Sequence, residues 1–298
     1  MVHDGYSARL LPCSSYNENV ACRALTYLSG VLLVAATAPA EVAAQVPAKH
    51  ARVELLARQN AASPGSDLML GVYFTLEKGW HIYWVNPGDS GQPPVFKWQL
   101  PSGFAAGEIE WPRPERMQSS PTLADYGYHD DVLLLVRVKI APTAATGQTA
   151  EIGLDAKWLI CREVCIPDRA QLKLFLPVAR EAQTNPATAE LFARTEKLLP
   201  GPLPKGWKVA VESRRNEFVL AIRAGKPLGK AEFFPLDPDQ IDNAAAQRLL
   251  PVAKGLRLAL NKSDLLMKPL SKLRGVLVIA GDGAYHVEAP VIADKAVQ

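Results

Sequence analysis

The sequence predicts an all-β protein: two immunoglobulin-like β-sandwich domains joined by a short helix and a Pro-rich linker. Three observations predict it. Short apolar or alternating runs follow one another from residue 51 to 178, punctuated by Gly, Pro, Asn and Asp clusters, the texture of a sandwich built from short strands. A similar pattern returns over 207–291. Between the two lies one stretch of helical character, ended by Pro200-Gly201-Pro202-Leu203-Pro204, which reads as a stiff linker. The 298 residues are 48% hydrophobic and 21% charged, ordinary values for a globular chain with room for two domains. A formal charge of +3 spread over that length leaves no footprint for nucleic acid. No Gly-rich phosphate loop announces a cofactor, and none is expected.

From the start of the chain, Arg9 and Arg23 precede an apolar run over 24–38, followed by small residues ending Val42-Ala43-Ala44. This is the pattern of a secretory signal peptide, assigned to 1–44. The apolar run is shorter than the roughly 20 residues needed to span a bilayer. Export places the mature chain where disulfides form and exchange. The first domain, 46–180, is expected to carry strands over 51–59, 68–76, 80–85, 95–100, 132–140, 151–160 and 170–178. Residues 181–205 are helix and linker: Thr184 or Asn185 suits the cap and Pro186 the first turn of a helix running to about Leu199. The second domain, 206–292, opens with strands over 207–211 and 218–222 around Arg214-Arg215-Asn216. It closes with a hairpin around Gly281-Asp282-Gly283.

Cysteine placement is the sharpest chemical signal. Cys13 and Cys22 fall in the leader, so the mature chain keeps one pair, Cys161 and Cys165, inside W-L-I-C-R-E-V-C-I-P over 158–167. Four residues of extended strand span roughly 13 Å, whereas a disulfide holds its Cα atoms about 4.4–6.8 Å apart. A bridge therefore requires a turn or bulge between the two. Such a bridge closes a loop of about five residues and stabilises by only about 2 kcal/mol in the chain-entropy model. A staple would sooner join distant strands, so redox exchange is the favoured reading over stapling. A metal site from Cys161, Cys165, His81 and His129 is the third reading; the absence of short ligand spacing weighs against it, and no metal is expected.

Two segments of the first domain are richer than a plain sandwich requires. One is G-W-H-I-Y-W-V-N-P-G-D-S-G over 79–91, the other D-Y-G-Y-H-D-D over 125–131. The first also fits a core strand with Trp80, Ile82 and Trp84 inward and His81 and Tyr83 outward. The second also fits a polar loop whose tyrosines cover the edge of the core.

In this order, with K-W-L-I-C-x-x-x-C-I-P after them and Ala231-Glu232-Phe233-Phe234-Pro235 in the second domain, the residues resemble the periplasmic N-terminal region of the DsbD/ScsB thiol:disulfide interchange family. The resemblance covers nearly all of 50–292. It implies an immunoglobulin-like domain that passes electrons by thiol–disulfide exchange between a membrane thiol relay and periplasmic thioredoxin-fold proteins, as a component of a protein-disulfide reductase. Cys161 and Cys165 match the redox pair and His81 and Tyr83 the aromatic positions beside it. Tyr126 and Tyr128 lie where a shielding loop is expected. The gap between the cysteines is narrower than in DsbD. The sequence reaches Gln298 without the membrane helices and thioredoxin domain that usually follow, so the relay is expected on a separate chain. The competing expectation is an exported binding or assembly module whose disulfide is structural.

Overall fold

The computed structural model describes residues 46–293; the leader expected over 1–44, with Cys13 and Cys22, lies outside the described residues. The first sandwich is made by β1 (Val46–Ala48), β2 (Ala51–Ala57), β3 (Asp67–Leu76), β4 (His81–Gly88), β5 (Val95–Gln99) and β6 (Phe104–Glu110). It continues through β7 (Glu115–Ser120), β8 (Leu123–His129), β9 (Asp131–Ile140), β10 (Thr149–Cys161) and β11 (Cys165–Pro177). One sheet runs β1-β2-β3-β9-β6 and the other β11-β10-β4-β8-β7, with β5 paired to β10. The alternation that marks a half-buried strand is plain in β11, where Ala170, Leu172, Leu174 and Leu176 are buried while Gln171, Lys173 and Phe175 are exposed.

β9 reads differently, as the unbroken apolar run Val132-Leu133-Leu134-Leu135-Val136, because both of its faces are covered. Val132, Leu134 and Val136 enter the core between the sheets, whereas Leu133 and Leu135 pack with Leu56, Met69 and Phe192 on the outside. Phe192 comes from α1 (Ala189–Glu196), which therefore lies against the outer face of the first sheet. Arg58 to Glu196 and Arg194 to Asp131 add ion pairs around it. The helix begins later than Pro186. Asn185 accepts the N–H of Ala187 through its side chain at 3.1 Å and closes a turn, while Thr188, at the helix N-cap, donates its hydroxyl to Ala57 O at 2.7 Å. A tertiary hydrogen bond has taken the group that would otherwise cap the helix.

The second half contains β12 (Lys208–Ser213), β13 (Glu217–Arg223), β14 (Ala231–Pro235), β15 (Arg248–Val252), β16 (Gly255–Asn261), β17 (Lys272–Ile279) and β18 (Gly283–Ala293). β18 pairs antiparallel with β17 over Gly283–Pro290, then parallel with β12 over Val291–Ala293. It thereby joins β14-β17-β18 to β12-β13-β16-β15 around a core that includes Leu220, Leu258, Phe233, Leu277 and Val287. The Pro-rich linker is laid onto this sheet: Gly201 N–H donates to Ala284 O at 2.9 Å and His286 N–H to Gly201 O at 2.8 Å.

The halves have separate cores but share a boundary, and the described residues form one compact unit. Phe234 of β14 packs edge-on against Trp84 and Tyr126, with ring centroids 6.3 and 5.3 Å away. Arg116 of β7 pairs with Glu232 at 3.0 Å. The segment 125–131, expected as a loop, is corrected by the structure. Residues Leu123–His129 form β8, in ladder with β4 and β7. Gly127 permits this close pairing, since a Cβ there would stand 2.1 Å from the Ile82 carbonyl oxygen. Among the described residues, no helix is long and apolar enough to cross a membrane.

Candidate functional site

β10 and β11 are one long hairpin, in register from Thr149 opposite Pro177 to Cys161 opposite Cys165. The ladder itself brings the cysteines face to face; the three residues Arg162, Glu163 and Val164 make the turn, with Arg162 N–H donating to Val164 O at 3.2 Å. Cys161 and Cys165 are joined as a disulfide, with Cα atoms 4.2 Å apart. The two sulfurs have unequal surroundings. Cys161 is 2% exposed, whereas Cys165, on the outer strand of the hairpin, is exposed.

Strand parity decides which neighbours reach the pair. His81 of β4 lies opposite Cys161 across the β4–β10 ladder, and His129 of β8 lies opposite His81. Side chains alternate between faces, so His81, Tyr83, Gly127 and His129 share the face of Cys161. Ile82, Trp84, Tyr126 and Tyr128 take the other face and belong to the core cluster. The rings of His81 and Tyr83 stand edge-on at 5.2 Å, and those of His81 and His129 at 5.7 Å. Tyr83 is 1% exposed, and its hydroxyl lies 3.3 Å from Cys165 Sγ.

Burial governs the protonation of these groups. It lowers His81 to about 4, assisted by the neighbouring His129, and His81 Nε2 has no hydrogen-bond partner among the described residues. Burial likewise raises Tyr83, with the neighbouring Ser90 side chain acting the other way and the charge of Asp125 adding to the rise. Tyr83 therefore keeps its proton at neutral pH and can donate it in a hydrogen bond. Burial also raises Asp125, against the lowering effect of Ser90, whose N–H and hydroxyl both donate to Asp125 Oδ1 at 2.9 Å.

The sequence-expected residues thus divide into two groups. The structure brings Cys161, Cys165, His81 and Tyr83 together. It places Tyr126 and Tyr128 in the core: Tyr126 donates to Asn243 Oδ1 at 2.9 Å and Tyr128 to Pro112 O at 2.8 Å, both buried. Among the described residues no group of three or more His, Cys, Asp or Glu side chains is arranged to hold a metal ion.

Two features escaped the sequence reading. Arg162, inside the turn, sets its guanidinium 5.3 Å over the ring of Trp80, against which His50 also stacks at 3.9 Å. Adjacency of Trp80 to His81, and of Arg162 to Cys161, was the available hint. The other is the turn Gly88-Asp89-Ser90-Gly91, which closes over Tyr83. Its Gly-Asp-Ser-Gly composition marks a turn, but nothing in it says what lies beneath.

Comparison with known proteins agrees with this geometry. Residues 52–177 match the model of the N-terminal domain of thiol:disulfide interchange protein DsbD. The N-terminal periplasmic domain of ScsB from Proteus mirabilis superposes with a TM-score of 0.60 at 19% identity, covering 83% of this chain and 95% of that one. That likeness extends over both sandwiches and speaks to the fold. The periplasmic chaperone SfaE gives a TM-score of only 0.24 at 11% identity, covering 81% of this chain and 100% of that one, and carries no argument. No curated protein gives a significant match. Over 52–177 the chain thus matches the DsbD N-terminal domain family, and the disulfide that closes the β10–β11 hairpin lies within that match.

Proposed function

We propose that this protein is an exported thiol–disulfide exchange protein, whose first sandwich carries electrons between a membrane thiol relay and thioredoxin-fold partners. One observation carries the reading: the disulfide joins two residues already opposed at the end of a hairpin, one buried and one presented to solvent. As a staple it is nearly redundant. The ladder closes the same loop, so the bond adds at most about 2 kcal/mol. As an exchange centre the asymmetry is useful. In the reduced protein the exposed Cys165 attacks a partner disulfide as thiolate, forming a mixed disulfide and releasing one partner thiolate, which takes up a proton. The Cys161 thiolate then attacks Cys165 Sγ and expels the second partner sulfur. Two electrons pass to the partner, and Cys161–Cys165 is restored. The Tyr83 hydroxyl, beside Cys165 Sγ, hydrogen-bonds the attacking thiolate and stabilises it.

Thiol trapping across dithiol buffers of graded potential tests this. The expected result is a reversible couple well above about −300 mV; a pair still oxidised at about −320 mV would instead identify a structural bond.

A further inference from the structure

We infer that Asn243, a residue of the second sandwich, positions Tyr83 against the redox disulfide by holding the turn that closes over the tyrosine ring. The inference deepens the exchange reading and rests on it. The chain leaving β4 turns through Gly88-Asp89-Ser90-Gly91, and Gly91, at φ +81°, lies against the ring of Tyr83: a Cβ there would sit 2.1 Å from its Cζ. This backbone presses on Tyr83, whose hydroxyl hydrogen-bonds Cys165 Sγ.

Asn243 reaches that turn from the other half of the molecule. It is 7% exposed, and both ends of its amide are engaged. Its Oδ1 accepts from the Tyr126 hydroxyl at 2.9 Å, and its Nδ2 donates to Asp89 Oδ1 at 2.7 Å. Chemistry dictates this orientation, because an ionised carboxylate only accepts. The second oxygen of Asp89 accepts from Ala124 N–H at 2.7 Å, so Asn243 holds this aspartate from outside the first sandwich; Asn86, which accepts Gly88 N–H at 3.2 Å and donates to Pro235 O at 2.8 Å, ties the start of the turn to the second half separately. Asn243 is itself fixed. Asp242 Oδ1 accepts the N–H groups of Ala244 and Ala245 at 3.0 Å each. Arg116 donates to the carbonyl oxygens of Asn243 at 3.0 Å and of Ala244 at 3.3 Å.

A continuous path of contacts thus runs from the second sandwich to the sulfur: Asn243, Asp89, Gly91, Tyr83, Cys165. With the turn held, the Tyr83 hydroxyl stays within reach of Cys165 when the bond opens and lowers the pKa of the thiol by donating to its thiolate. Release of the turn lets the ring tilt, and the thiol pKa rises.

The test is the pH profile of Cys165 alkylation by iodoacetamide in the full chain after reduction by excess dithiothreitol, read on the Cys165 peptide by mass spectrometry. Tyr83→Phe removes the hydroxyl and calibrates the full effect. Asn243→Ala is expected to shift the midpoint upward by about half a pH unit, the size of one ordinary hydrogen bond's net contribution. Asp89→Ala, on the exposed turn, removes the acceptor of Asn243 Nδ2 and breaks the same contact without touching the second core. It should shift the midpoint in the same direction, and the double variant should go no further than the larger single one. Midpoints unchanged in Asn243→Ala and Asp89→Ala overturn the inference even if melting temperatures fall, because Asn243 then only stabilises the boundary. A midpoint unmoved by Tyr83→Phe overturns it equally. Because excess dithiothreitol opens the bond whatever its potential, a potential too low for a carrier would defeat the exchange reading while the midpoints still decide the role of Asn243.

Discussion

The two cysteines differ by little in sequence and by a great deal in access, and that difference is measurable. Cys161 is 2% exposed beside His81, and Cys165 is exposed. Cys161→Ser should therefore form a mixed disulfide with oxidised glutathione at Cys165 readily. Cys165→Ser, leaving the buried thiol, should react at least about tenfold more slowly; equal rates, followed by mass spectrometry, would remove Cys165 as the attacking residue. His81 makes a separate, pH-dependent contribution. Its folded pKa of about 4 lies below the ordinary value of 6.5, so between those values the unfolded chain binds more protons than the folded one. Stability is then complete above pH 6.5 and falls as pH drops toward 4, by up to about 3 kcal/mol. The carboxyl groups of Asp125, buried, and Glu232, partly buried, are shifted upward and act in the opposite sense. The comparison must therefore be between wild type and His81→Gln, and the variant should lose less stability between pH 7 and pH 4.5 in urea titrations. Parallel losses in the two proteins would show that His81 is not the titrating group.

At the scale of elements, β8 corrects the sequence reading and changes what its mutation should do. Tyr126 is fully buried and Tyr128 is 6% exposed, both on the face turned from the disulfide. Tyr126→Ala or Tyr128→Ala should each cost about 3–5 kcal/mol, as for other large buried rings, and circular-dichroism melts would measure it. A small loss would mean that the rings can leave the core at little cost. β8 was hidden, as was β7 beside it, while other strands were legible, and the reason is physical. The β10–β11 hairpin announces itself by apolar alternation, and the β17–β18 hairpin by Gly281-Asp282-Gly283. In β8 the sequence Leu123-Ala-Asp-Tyr-Gly-Tyr-His129 carries Asp125 and Gly127 at strand positions, and both residue types are depleted in strands. Asp125 is tolerated because Ser90 satisfies it, and Gly127 because Ile82 leaves no space for a side chain. Each reason is a contact with a residue distant in the chain, which no local pattern carries. The same holds for Asn243, 154 residues from Asp89.

At the scale of the whole molecule, the question is how far two cores behave as two domains. The second core contains Phe218, Leu220, Ile222, Leu256, Leu258, Leu260, Leu273 and Leu277, clustered apart from the first. Phe234 and Val276 point away from that core and pack instead with the first. The polar contacts at the boundary, Asn86 with Pro235 O at 2.8 Å and Arg116 with Glu232 at 3.0 Å, are lost in isolation as well. We therefore propose that 206–292 expressed alone folds cooperatively but melts at a lower temperature than the full chain, because burying one large ring contributes on the order of 2–3 kcal/mol. Phe234→Ser should act differently in the two contexts. In the full chain it leaves a cavity beside Trp84 and Tyr126 and should be strongly destabilising. In the isolated domain, where that ring faces water, it should be nearly neutral or improve solubility. Thermal melts of the four proteins decide the matter. An equal loss in both contexts would place Phe234 in the second core, and an isolated domain without a cooperative transition would make the two sandwiches one folding unit.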